Sequence, residues 1–265
     1  MSTKVPMKPS SCKKNVVSVC MATYNGEKYI KEQLISILFQ LSEEDEVIIS
    51  DDGSHDSTLE IIDSFHDNRI KIYHNSAPHG VVPNFENAIK HASGEFVFLC
   101  DQDDVWEDGK VEICKKYLSH NILVLHDASI IDKNGVEIQS SYFKLRGSKI
   151  GYFNNVVKNS YLGCCMAFRW NLLKYILPFP GKIEMHDRWI GLQAELYGRT
   201  VMVNRQLSRY RIHGENVSNS TEKSKNDFIT MLQIRLWLLF FNIVSKINNL
   251  FTKKNIDEKK VTDVY

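Results

Sequence analysis

The residues best placed to do chemistry in this chain are Asp101, Asp103 and Asp104, three carboxylates within four positions. They follow Phe96-Val97-Phe98-Leu99-Cys100, a short, mostly apolar run bounded by Gly94. Such a run reads as a strand buried on both faces, as in a parallel sheet. Parallel sheets offer ligand sites outside the carboxyl ends of their strands, which puts the three carboxylates at the rim. Clustered carboxylates repel one another unless a cation neutralises them. A hard divalent ion, Mg²⁺ or Mn²⁺, suits them and favours phosphate oxygens as its remaining ligands. The plainer alternative is an acidic loop with one helix cap.

The elements that must position this cluster are regular over the first hundred residues. Val16 to Ala22 and Glu46 to Ser50 are apolar runs with strand composition, and Arg69 to His74 is a third strand. Between them, Tyr29, Ile30, Leu34, Ile37, Leu38 and Leu41 recur at helical spacing, Ser57-Thr58-Leu59-Glu60 has the form of a capping box, and residues 83–92 form a helix ahead of Gly94. Strand alternating with helix specifies an α/β fold with a mostly parallel central sheet flanked by helices. Each strand closes on polar residues: Thr23-Tyr24-Asn25-Gly26 after the first, Asp51-Asp52-Gly53-Ser54 after the second. Neither G-x-G-x-x-G nor G-x-x-x-x-G-K-[ST] is present, so metal rather than a glycine-rich backbone must hold any phosphates. A carboxylate at the position of Asp52 could accept the ring N–H of uracil or thymine. The alternative there is a plain Asp-Asp-Gly-Ser turn.

Thr23-Tyr24-Asn25-Gly26, Asp51-Asp52-Gly53-Ser54 and Asp101-Gln102-Asp103-Asp104, in this order, resemble the nucleotide-sugar half of a family 2 glycosyltransferase of the GT-A fold. The Asp-Gln-Asp-Asp-Val-Trp form is most similar to a bacterial rhamnosyltransferase-like branch that builds O-antigens and capsules. The resemblance implies donor-nucleotide contacts at Thr23, Tyr24, Asn25, Asp51, Asp52, Asp101, Gln102 and Asp103, with Asp103 and Asp104 nearest the metal. It extends acceptor or diphosphate contacts to Trp106, Gly163, His186, Arg188 and Arg211. It also implies an inverting transfer from a UDP- or dTDP-sugar (rhamnose, galactose or glucose) to a lipid-linked oligosaccharide acceptor.

The second half is less regular. Residues 122–125 are expected as a strand, Asn134-Gly135 as a hairpin turn, and 142–150, without a period, as a mobile acceptor loop. Residues 162–168 form a buried strand candidate in which Gly163 lets a substrate approach closely. Asp187 opens a helix running to Tyr197. It is either an N-cap or, as in the resembled family, the base that deprotonates the acceptor hydroxyl, with Glu184 in reserve. Arg211 and His213 alternate after a strand from Thr200 to Val203, so a cation and an imidazole could reach diphosphate or metal.

Bulk properties bound the rest. The chain has 265 residues, 43% of them hydrophobic, and a net charge of +1, so no global field argues for a nucleic-acid partner. Its six cysteines lack C-x-x-C spacing, which favours buried thiols over a disulfide framework. The organisation expected is a disordered lead-in over 1–15 and a catalytic domain over 16–220, with a donor half to 106 and an acceptor half from 107. A C-terminal helix over 226–252 and a charged tail over 253–265 complete it. The apolar C-terminal run, broken by Gln233, Arg235 and Asn242, suits an interfacial helix or a packing helix rather than a membrane span. The localisation expected is cytoplasmic, peripheral at the inner face of the plasma membrane. Two other enzyme classes fit less well. An aspartyl-phosphate phosphatase carries Thr or Ser where Val105 stands, and a nucleotidyltransferase carries a basic glycine-rich loop where Thr23 to Gly26 stand. A non-catalytic nucleotide-binding scaffold remains as a further reading.

Overall fold

Alternate residues of the first strand belong to different cores: Val17, Val19 and Met21 pack on one side of the sheet and Cys20 on the other, all fully buried. This two-sided burial is why the run is continuously apolar. The computed structural model describes residues 12–76, 78–181 and 183–214. Over its first half, the chain alternates β1 (Lys13–Thr23), α1 (Ile30–Leu38), β2 (Glu46–Asp51), α2 (Thr58–Asp63), β3 (Ile70–His74), α3 (Val81–Lys90) and β4 (Gly94–Asp101). All pairings among these four strands are parallel, in the order β3-β2-β1-β4. Their carboxyl ends therefore meet at one edge, as the alternation predicts.

The second half adds β5 (Val105–Trp106), α4 (Lys110–Leu118), β6 (Leu123–Ile131), β7 (Glu137–Gln139), α5 (Tyr142–Arg146), α6 (Tyr152–Val157), β8 (Met166–Arg169), α7 (Leu173–Ile176), α8 (His186–Tyr197) and β9 (Thr200–Arg211). These strands extend the sheet as β4-β8-β6-β9-β5, with β7 on β6. Here direction is mixed: β8 runs antiparallel to β4 and β6, β5 runs antiparallel to β9, and only β6–β9 is parallel. A run buried on both faces looks alike in either direction, so the apolar pattern alone did not reveal the antiparallel partners. α1, α2 and α4 cover one face of the sheet, and α3 with α5 to α8 covers the other.

Four local expectations change. β1 begins at Lys13, inside the expected lead-in, because Lys13 N–H donates to Ser93 O and Asn15 N–H to Glu95 across a bulge. Ser57 heads α2 without a side-chain cap bond, and Asp56 accepts from Thr58 N–H instead. The expected loop at 142–150 starts as α5, capped by Ser141, with Tyr142 and Phe143 buried. Gly163–Cys165 form a 3₁₀ turn, so the strand starts only at Met166. The expected helix over 226–252, the tail and residues 1–11 of the lead-in lie outside the described residues. Among the described residues, no helix is long and apolar enough to cross a membrane.

Candidate active site

The carboxyl ends of β1, β2 and β4 open into a cleft of about 1160 Å³, closed on its far side by the start of α8. Thr23, Tyr24, Asn25, Asp52, Asp101, Gln102, Asp103, Gly163, His186, Asp187 and His213, all singled out in the sequence, line it together.

The loop after β1 is held by an amide clamp. Tyr24 N–H donates to Gln102 Oε1 and Gln102 Nε2 donates to Tyr24 O, both at 2.9 Å. A Cβ on Gly26 would stand 2.4 Å from Gln102 Oε1, so the glycine makes room for the clamp. The amide of Gln102 is thus engaged with backbone. Asp51 is fully buried and serves the turn: it accepts from Thr23 Oγ1, Ser54 Oγ and the Gly53 and Ser54 N–H groups. Asp52 faces the cleft. Its Oδ1 accepts from Asn75 Nδ2 at 2.7 Å and lies 3.0 Å from His79 Nδ1, while Oδ2 accepts from Gly80 N–H at 2.7 Å. A carboxylate fixed in this way can still accept one more N–H from a base edge.

The acidic loop is clamped from the opposite end of the chain. Arg211 N–H donates to Asp104 Oδ1 (2.9 Å), Arg211 Nε to Asp103 O (2.7 Å) and Arg211 Nη2 to Glu32 Oε2 (2.6 Å). Arg211 therefore braces the loop from outside the cleft lining. His213 Nε2 lies 2.7 Å from Asp103 Oδ2. Burial, then the charges of Asp104, Asp103 and Asp187, push the Asp101 carboxyl well up. Burial, then Asp103, raises Asp104 as well. Asp104 Oδ2 is buried with no partner among the described residues, and Asp101, Asp104 and Cys164 present ligand atoms within 4.8 Å of one another. Mutually repelling carboxylates with an orphaned oxygen are what a hard divalent cation relieves. The donor set therefore fits Mg²⁺ or Mn²⁺, while the buried thiol of Cys164 does not favour such an ion.

Asp187 stands in the first turn of α8, 6% exposed, and accepts from Arg188 N–H and from Asn159 Nδ2. Burial outweighs these bonds and pushes its carboxyl up to about 7. His186 stacks on Phe85 at 3.9 Å between ring centroids, and burial lowers it to about 3, so it is neutral. A Cβ on Gly163 would meet His186 Nε2 at 2.8 Å, which is why glycine suits that position.

Six residues singled out earlier do not line the cleft: Asp51 and Arg211, engaged as above, and Trp106, Arg188, Glu184 and Asp104. Trp106 is buried against Phe98 and beneath Lys110 Nζ. The Arg188 guanidinium holds the carbonyls of Asn155 and Val156 and pairs with Glu184, so Glu184 is likewise engaged away from the cleft. Asp104, in the same loop as Asp101 and Asp103, is fully buried. Sequence reasoning missed Lys110, a fully buried cation bonded to Cys164 O (2.9 Å) and Ser208 Oγ (2.8 Å), which lowers the acidity cost of Asp101 and Asp104. The signal was there: Lys110 shares the apolar stripe of Val111, Cys114 and Leu118. Asn84 and Phe85, which also line the cleft, lie in a helix that reads simply as core.

A mixed α/β sheet flanked by helices, with a cleft and an acidic rim where its parallel strands end, matches the GT-A architecture of glycosyltransferases. Residues 18–177 match the sequence profile described as Glycosyl transferase family 2, and the chain belongs to that family. It is 28% identical over 240 residues to the UDP-Glc:alpha-D-GlcNAc-diphosphoundecaprenol beta-1,3-glucosyltransferase WfgD of Escherichia coli, covering 86% of this chain and 92% of that one. It is 30% identical to an uncharacterized glycosyltransferase of Haemophilus influenzae, over 79% of this chain and 84% of that one. The structure of S. aureus TarS 1-349 in complex with UDP-GlcNAc superposes with a TM-score of 0.65 at 25% identity, covering 84% of this chain and 66% of that one.

Proposed function

We propose that this glycosyltransferase is inverting and metal-dependent, moving a hexose from a UDP-sugar to a hydroxyl of a lipid-linked bacterial surface glycan at the inner membrane face. The observation that carries the reading is Asp187: a carboxyl raised to about 7, in the same cleft as Asp52 and the acidic loop. It takes the proton of the acceptor hydroxyl as that oxygen attacks the anomeric carbon from the face opposite the diphosphate. Asp52 receives the base and the Thr23–Gly26 loop packs along the nucleoside. Asp101, Asp103, Asp104 and His213 would hold Mn²⁺ or Mg²⁺, which supplies charge neutralisation at the leaving diphosphate. The likeness to WfgD, named for UDP-Glc and a diphosphoundecaprenol-linked acceptor, supports glucose as the donor sugar to test first, ahead of galactose or rhamnose, and supports dTDP only as second choice of nucleotide.

The test is calorimetric binding of UDP, dTDP and GDP with and without Mn²⁺, to wild type and Asp103→Asn. Metal-dependent UDP binding that the variant loses is the expected result. No nucleotide binding by folded protein refutes the donor site.

A further inference from the structure

From Ile138 to Ile183 the sequence holds seven Lys or Arg residues and no Asp or Glu. The rest of the chain holds 26 basic and 32 acidic residues, a net −6, and this is the longest stretch of the sequence without an acidic residue. The stretch builds α5 and α6, and there the exposed side chains are of two kinds. Lys144, Lys149 and Lys158 are exposed cations. Phe153, Val157 and Leu145 are exposed hydrophobics at 79%, 61% and 48%. Phe153 and Val157 stand one turn apart on α6 and so share a face. Lys158 Nζ donates to Arg146 O and ties the end of α6 to the end of α5, which makes one surface of the two helices. Isolated exposed hydrophobics need no explanation. Their coincidence with the acid-free stretch is the signature of a surface that meets an anionic interface, where apolar groups enter the acyl boundary and lysines meet headgroups.

We propose that the α5–α6 face docks this domain onto an anionic phospholipid bilayer. The face is coupled to the cleft: the Arg188 guanidinium, one residue beyond Asp187, grips the carbonyls of Asn155 and Val156 in α6, and Asn159 just after α6 donates to Asp187. Docking thus brings the Asp187 end of the cleft toward the membrane. Only that last consequence rests on the proposed function; the docking itself is read by partition and not by turnover.

The full chain, with exposed Cys12 replaced by Ser and an apolar environment-sensitive dye on Phe153→Cys, is titrated with vesicles of 30% phosphatidylglycerol in phosphatidylcholine and with phosphatidylcholine alone. A blue shift is expected on the anionic vesicles only, reduced by 0.5 M salt, and absent for the same dye on Glu44→Cys. Lys144→Gln/Lys149→Gln weakens partition by about 25-fold, at about fivefold per lysine, with an unchanged thermal transition. The proposal is overturned if the chain sediments with vesicles while the dye at position 153 stays in water, since another segment is then the anchor. It is equally overturned if neither vesicle binds, or if only a single-stranded oligonucleotide shifts the dye.

Discussion

Replacing Asp187 by Asn separates the catalytic role proposed for the carboxyl from what it costs the fold. Burial takes it from an ordinary 3.8 to about 7, which at 1.36 kcal/mol per pH unit is about 4 kcal/mol. Between those values the native chain binds more protons than the unfolded chain, so this group's contribution to stability falls as pH rises and is fully lost above pH 7. Asn keeps an oxygen for Arg188 N–H and Asn159 Nδ2 but never ionises. Asp187→Asn is therefore expected to be more stable than wild type by about 4 kcal/mol at pH 8 and about 2 kcal/mol at pH 5. Denaturant titrations in EDTA, which keeps a bound cation from masking the difference, measure this directly. Turnover falls by about 10²–10⁴, and wild-type kcat rises with pH to a plateau above about 7. A stability difference that does not change with pH, or a variant with full turnover, refutes the reasoning.

Two further outcomes follow from the loops. Gly26→Ala pushes Gln102 out of its clamp on Tyr24. The variant should lose about tenfold in UDP affinity for two hydrogen bonds of modest net worth, while its Tm, read by calorimetry, falls by only a few degrees (about 2–4 °C per kcal/mol). Lys110→Met removes the buried cation beside Asp101 and Asp104, so both carboxyls rise further and metal-dependent UDP binding is lost at pH 6 before pH 8; an unchanged pH dependence would contradict that role.

The rim that the first-half strands bring to the cleft was legible in the sequence because each β–α junction there carries its own polar signature. Thr23, Asp52, Asp101 and Asp103 all arrive at one sheet edge for a topological reason: parallel strands share an end. Strand direction beyond β4 was not legible, since Val124 and Ala167 are buried whichever way their strands run. α5 escaped because one turn shows no period. Its signal was the Ser141 cap together with two adjacent buried aromatics. Arg211 illustrates a different limit: spacing identifies a cation near the acidic loop, but not that its guanidinium is engaged with backbone and Glu32. Asp51 and Asp52 make the same point, since adjacent carboxylates on one turn go one to the backbone and one to the cleft.

The hold of Arg211 on the acidic loop bears on how the protein comes into being. Asp104 waits for a partner 107 residues further along the chain. A ribosome finishes the strands and helices of the first half long before Arg211 and His213 emerge, so the loop is made early and braced late. The N-terminal 106 residues, although they carry the motifs that follow β1, β2 and β4, are therefore not a portable module. Cutting and grafting this enzyme at the midpoint would transplant the acidic loop without its brace, and exchange between relatives must carry β9 along with the first half.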